Sequence, residues 1–317
     1  MLAMTGSLGE LLTDLGVFGM IMAYFLGGDS LKRASLLVVI SMAIFGTIGV
    51  FKRLIPVSSG ELALYRAVLA CLVIGGVLLV SKNPIPFRKI KKHIPLLAVS
   101  GMAMGINWIL LFEAYAHTTV SVATLSYYFA PVIVTALCPV LFREKLTLKQ
   151  FVCFLVSTAG LVMITAGDGT GGSDHLTGIL FGLGAAVFYA SVVLLNKFIK
   201  DVDGIHRTFL QFVAAIVILL PYVLLTGGFR PGALDGVGWG NLLIVGLVHT
   251  GLCYCMYFSA LKDLPGQKAA ILSYIDPLVA VLVSVVLLRE SMGLWQVVGG
   301  TLILGATLVN ELQPKKK

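Results

Sequence analysis

The chain is a succession of apolar runs, each about long enough to cross a bilayer. Ten can be marked, at 34–52, 60–80, 94–115, 121–142, 148–166, 176–197, 206–226, 237–260, 268–288 and 294–311. A hydrocarbon core roughly 30 Å thick takes about 20 helical residues. Backbone polar groups find no water there, so only helices or closed barrels can span it. Strands of alternating polarity are absent from the sequence, which leaves helices. The connections are short and rich in turn residues, as at 56–60, 82–86, 167–173 and 226–232, and no soluble domain fits between the runs. Charged residues make up 12% and mean hydropathy is +0.99, where a soluble domain carries about a quarter charged residues. The expected fold class is therefore an all-α integral membrane protein of ten transmembrane helices.

Lysine and arginine placement orients such a bundle. With a cytoplasmic N-terminus, 18 basic residues fall in inside segments: Lys32, Arg33, Lys82, Arg88, Lys89, Lys91, Lys92, Arg143, Lys145, Lys149, Lys197, Lys200, Arg207, Lys262, Lys268, Lys315, Lys316 and Lys317. Four fall outside, Lys52, Arg53, Arg230 and Arg289, and Arg66 lies within a span. Both termini are thus expected in the cytoplasm, at the inner or plasma membrane. The net charge of +8 then reports topology and lipid headgroups rather than nucleic acid. Residues 1–33 are expected to form an interfacial or disordered extension. They lack a basic leader, and a start at Met20 or Met22 is the alternative. Residues 167–175 read as a linker and 312–317 as a basic cytoplasmic tail. The five cysteines lie in apolar runs without CxxC spacing, so no disulfide framework, metal site or cofactor is expected.

The fourth and ninth spans match at a constant offset of 146. Pro131 aligns with Pro277, Arg143-Glu144 with Arg289-Glu290, Leu148 with Leu294, Gln150 with Gln296 and Val152 with Val298. An offset of 145 pairs Lys52 with Lys197 and Ala70 with Ala215. The chain therefore reads as two five-helix repeats, 34–166 and 176–311. Five is odd, so the second would be inverted in the membrane. Inverted repeats build secondary transporters whose substrate site lies near the midplane between the halves.

These features resemble the drug/metabolite transporter superfamily and its EamA-domain members. The stretch from Asn107 to Pro131 is similar to their third-to-fourth helix junction, and Leu64-Tyr-Arg66 to their second-helix arginine segment. The resemblance spans 34–311 and implies transport by alternating access. Its implied substrates are amino acids or related metabolites, moved mostly outward, or in more distant relatives nucleotide sugars or drugs. It also implies a cavity lined by spans one, three, four, six, eight and nine. Glu113 and Asp276 are departures from the general pattern.

A charge inside a span costs roughly 2.5–3.5 kcal/mol on insertion scales and needs a partner or water. Arg66 and Glu113 come to similar depth, and a buried structural ion pair between them is expected. Contact of either with a substrate is the alternative. Asp276 sits eight residues after Lys268 and directly before Pro277, which cannot donate to the Ser273 carbonyl. Pro131 does the same to Tyr127. Free carbonyls beside an acid suit an ammonium, a proton or a sodium ion. His249 comes to the same depth, which makes an Asp276–His249 proton-sensitive pair geometrically possible. A hydrogen-bonded structural Asp276 is the plainer alternative.

The candidate substrate residues are Asn107, Trp108, Phe112, Tyr115, Tyr128, Asn196, Tyr254, Tyr274 and Asp276. They combine an aromatic face with a few polar anchors, as small-molecule sites do. Helix packing explains many of the aromatics equally well. The expected partners are a small-molecule substrate, the bilayer and a coupling proton, as monomer or homodimer. A membrane-embedded enzyme would need paired acids, HExxH-type ligands or a nucleophile with its base. The acids here lie at different depths and only His249 is deep, so no catalytic residues are assigned.

Overall fold

The computed structural model describes residues 30–82, 84–143, 147–166, 172–199 and 202–312. The N-terminal extension up to residue 29, linker residues 167–171 and tail residues 313–317 lie outside them, as does Glu144. Among the described residues all regular structure is helical. In chain order the helices are α1 Ser30–Arg53, α2 Ser59–Val80, α3 Lys91–His117, α4 Val120–Phe142, α5 Leu148–Thr165, α6 Asp174–Phe198, α7 Gly204–Leu225 and α8 Gly236–Ala260. Then come α9, in two pieces Gly266–Ser273 and Ile275–Val286, and α10, Leu294–Glu311. The first eight are long and apolar enough to cross a membrane. The ninth and tenth contribute the shorter apolar stretches Ile271–Val286 and Leu294–Asn310. Helical structure leading into α6 begins at Gly172, inside the expected linker.

Local chemistry sets several starts. Ser58 accepts from the Glu61 N–H at 3.1 Å, Thr119 from Val122 at 3.2 Å and Asp235 from Gly238 at 2.7 Å. Each satisfies a donor that a helix N-terminus leaves unpaired. Burial is inside-out relative to a soluble protein. Leu79, Leu225 and Leu294 are exposed, while Glu61, Arg66, Ser100, Gln211 and Thr250 are buried. Apolar side chains on the outside and polar ones within suit a lipid surround.

The packing repeats itself between the halves. Helix α3 packs on α6 and α7, and α8 packs on α1 and α2; α4 packs on α6, and α9 on α1. The remaining long contacts, α2 with α7, α4 with α9 and α5 with α10, join equivalent helices of the two halves. Replacing each helix by the one five places on reproduces the same contacts. At the crossing of α5 and α10, a Cβ on Gly160 would meet the Gly299 carbonyl at 2.6 Å, and one on Gly299 the Gly160 carbonyl at 2.4 Å. Only glycine lets these backbones come so close.

Backbone details repeat too. Arg143 after α4 and Arg289 after α9 adopt φ of 54° and 53°, a region uncommon for non-glycine residues. Both helices break at the same place. Tyr128 and Phe129 interrupt α4, where Phe129 N–H donates to the Ser126 carbonyl. Tyr274 interrupts α9, donating to Ile271. The prolines that follow, Pro131 and Pro277, have no N–H with which to restore the ladder.

Candidate functional site

The break in α9 delivers Asp276 to the interface between the halves. Its carboxylate accepts a hydrogen bond from the Tyr128 hydroxyl at 2.6 Å, from the matching break in α4. Helix α1 closes against the same point, with a Cβ on Gly46 lying 2.5 Å from the Asp276 carbonyl. Tyrosines gather around it. The hydroxyls of Tyr115, Tyr127, Tyr189 and Tyr254 lie within electrostatic reach of the Asp276 carboxylate. Tyr257 and Tyr274 in turn neighbour Tyr189. Seven tyrosines among the described residues thus collect here, from α3, α4, α6, α8 and α9.

Their rings pack in two groups. Tyr127 meets Tyr128 at 5.7 Å and Tyr189 at 5.3 Å, and Tyr254 meets Phe45 and Phe212 at 5.2 Å each. Tyr189, against the Tyr127 ring, keeps 41% of its surface exposed. Rings offer apolar area while their hydroxyls donate or accept.

Arg66 approaches from α2, with its charge in reach of Asp276. It is buried, its Nε donating to Thr250 at 2.6 Å, and its guanidinium lies 4.5 Å from the Trp108 ring and 5.8 Å from Phe112. A desolvated cation over an aromatic face gains about 2 kcal/mol. Thr250 is placed by a π-helical segment, Ile244–Leu252, in which its hydroxyl donates to the Val245 carbonyl five residues back. Such segments concentrate at functional sites.

The family matches this arrangement twice. The EamA-like transporter family covers residues 32–166 and again 176–311. The chain belongs to the EamA-like transporter family. Among its relatives, the Bacillus subtilis (strain 168) protein called uncharacterized transporter YxxF is 31% identical over 280 residues, 86% of this chain and 87% of the relative. An uncharacterized transporter of Clostridium kluyveri is 24% identical over 300 residues, 90% and 95% of the two chains. A solved crystal structure aligns with a TM-score of 0.63 at 16% identity, over 87% of this chain and 96% of that one, and so shares the fold. This EamA-like chain is accordingly a multi-pass membrane transporter.

Not every residue expected at the transporter's site is there. Arg66 and Glu113 form no ion pair. Glu113 instead lies 3.8 Å from His117 one turn on, with about a third of its side chain exposed. Nor do Asp276 and His249 pair. His249 Nε2 contacts Thr47 Oγ1 at 2.8 Å and Nδ1 the Ile244 carbonyl at 3.3 Å, with Phe51 against the ring. His249 thus ties α1 at Thr47 to α8. Asn107 donates to the Ala185 carbonyl at 2.6 Å, clamping α3 to α6. Asn196 accepts from Gln211 at 2.8 Å, and Gln211 also meets Ser100. Phe112 is fully buried in packing. Tyr115, Tyr128, Tyr254, Tyr274 and Asp276 do come together, with Trp108 behind Arg66. Tyr127, Tyr189 and Tyr257 join them, although helix packing accounted for them in the sequence; their recurrence on the spans that carry the other aromatics was the available signal.

Proposed function

We propose that the protein carries a small amphipathic metabolite, an amino acid or a related compound, across the cytoplasmic membrane by alternating access, as an exporter or facilitator. Its ten spans form two inverted five-helix repeats, with both termini in the cytoplasm. The observation that carries the reading is Asp276, hydrogen-bonded to Tyr128 and walled by tyrosines from both halves. An acid there suits a substrate ammonium or a coupling proton. Tyrosine rings suit a partly apolar body, and Arg66 supplies a cation at electrostatic range for a carboxylate. The exchange of helix contacts between halves supports a rocking motion about this point. The charge count of the loops supports the orientation.

The test is solute exchange in proteoliposomes holding the purified protein. Efflux of a labelled amino-acid mixture is chased with unlabelled amino acids, sugars and nucleosides in turn. Acceleration by one or more amino acids, lost in Asp276→Asn, is expected. Acceleration only by sugars or nucleosides would overturn the substrate class, and none at all would overturn the carrier reading for these solutes.

A further inference from the structure

One carboxylate outside the site fastens three helices at one end of the bundle. Glu290 lies in the turn after α9, where Arg289 at φ 53° reverses the chain. Its side chain is 7% exposed. Oε2 accepts from the backbone N–H of Val120, the first residue of α4, at 2.8 Å, and from the Ser284 hydroxyl on α9. Oε1 pairs with the guanidinium of Arg53, the last residue of α1. The Ser121 hydroxyl on α4 donates to Ser284 at 2.7 Å, which ties α4 to α9 a second time. The turn is held in place by the Glu290 N–H, which donates to the Ser284 carbonyl at 3.1 Å. A negative group at the start of α4 is also favoured by the helix dipole. Ser284 stands eight residues beyond Asp276 on α9, about 12 Å along the helix. The fastening therefore lies between the substrate site and this end of the bundle.

At the other end several repeat counterparts carry different side chains, and Glu144, the counterpart of Glu290, lies outside the described residues. By the offsets that relate the halves, Ser284 corresponds to Cys138, Ser121 to Gln267 and Arg53 to Phe198. Neither a thiol nor a phenyl ring reproduces a charge-assisted bond to a carboxylate.

We propose that Glu290, with Arg53, Ser121 and Ser284, is a lock that closes the transport path at the end away from the basic loops, so that its release opens the empty carrier to that side. The lock rests on the carrier reading for its purpose. Opening to the outside must separate α1 and α4 from α9 and break these bonds together. Releasing them raises the population of the outward-open state.

The test uses the full chain in lipid nanodiscs and proteoliposomes, with Cys71, Cys138, Cys153, Cys253 and Cys255 replaced and Tyr189→Cys as reporter. A charged, impermeant thiol reagent is applied from either side. Labelling from the cytoplasmic side is expected to dominate in the locked protein. Glu290→Gln and Arg53→Gln should each raise labelling from the opposite side roughly tenfold, a decade of population. If Glu290→Gln loses folded yield, Ser284→Ala and Arg53→Lys, which trim one contact each, take its place. Equal labelling from both sides before mutation, or unchanged outside labelling in folded variants, would overturn the lock. In a second arm, Ser121→Cys with Ser284→Cys is oxidised to a disulfide. Cytoplasmic-side labelling that persists while outside labelling falls to background, restored by reductant, is expected. Outside labelling at the uncrosslinked rate would overturn it. Labelling needs no substrate, so these outcomes stand apart from the exchange assay: exchange can fail for every solute while the lock holds, and the reverse.

Discussion

The Tyr128 hydroxyl donates to Asp276 over 2.6 Å, across the seam between the two halves. The bond is asymmetric. The repeat counterpart of Asp276 is Ala130, and that of Tyr128 is Tyr274. Packing in the first half manages without an acid, so the equivalent packing in the second half does not require one. Asp276→Asn should fold and insert normally yet lose transport driven by a pH gradient. Tyr128→Phe removes one hydrogen bond to a charged group, about 1.5–3 kcal/mol. That corresponds to roughly a 10–100-fold weaker apparent affinity, read from exchange in proteoliposomes at matched protein amounts. Unchanged affinity and unchanged pH-driven uptake in both variants would leave Asp276 as a structural residue.

Glu113 makes the opposite prediction from the one its depth invites. Breaking a buried ion pair would cost about 3–5 kcal/mol. Since Glu113 faces His117 near the surface of α3, Glu113→Gln should change stability by no more than about 0.5 kcal/mol and leave transport intact. Thr250→Val is the damaging change. It leaves the buried Arg66 Nε without its acceptor, at about 1–3 kcal/mol. Thermal unfolding followed by fluorescence-detected size exclusion separates the two. A large loss in Glu113→Gln beside none in Thr250→Val would reinstate the Arg66–Glu113 clamp.

That contrast shows where sequence reasoning runs out. Span positions, the repeat and the proline breaks follow from composition and spacing along the chain, and the structure carries helices at each of those places. Depth is one coordinate, however, and partners need a second, the direction around the helix. Trp108 and Phe112 are one turn apart and share the face that covers Arg66. Glu113 is five residues beyond Trp108, about 140° around the helix, and points elsewhere. In a soluble helix the apolar stripe would give that direction. Here the lipid-facing side is apolar as well, so the stripe is blurred. Asn107 and Asn196 illustrate a further limit. A buried amide bonds to whichever polar group packs nearest, and for these two that is Ala185 and Gln211 rather than a ligand. The π-helical register at His249 and Thr250 has no sequence signature at all.

The orientation is open to direct measurement. In a cysteine-free background, a cysteine at Gly171 should react with an impermeant thiol reagent applied to intact cells, and one at Lys89 should react only after permeabilisation. The reversed pattern would contradict the 18-to-4 distribution of basic residues and would also invert which end Glu290 closes.

Helix α1 packs directly against the backbone at Asp276, and Gly46 makes that approach possible. A Cβ there would lie 2.5 Å from the Asp276 carbonyl and 2.7 Å from Val279 Cβ. Both are rigid parts of α9, so a methyl group must push the helices apart. Overpacking of this kind costs typically 1–3 kcal/mol. Gly305 on α10 meets nothing within 4 Å, so alanine there should be neutral or gain about 0.5–1 kcal/mol from helix propensity. Gly46→Ala should therefore lower the unfolding temperature where Gly305→Ala does not. It should also lower exchange at temperatures where the protein is still fully folded, because the displaced contact is the one that backs Asp276. Equal behaviour of the two alanine variants in both measurements would mean that α1 does not set the position of the acid.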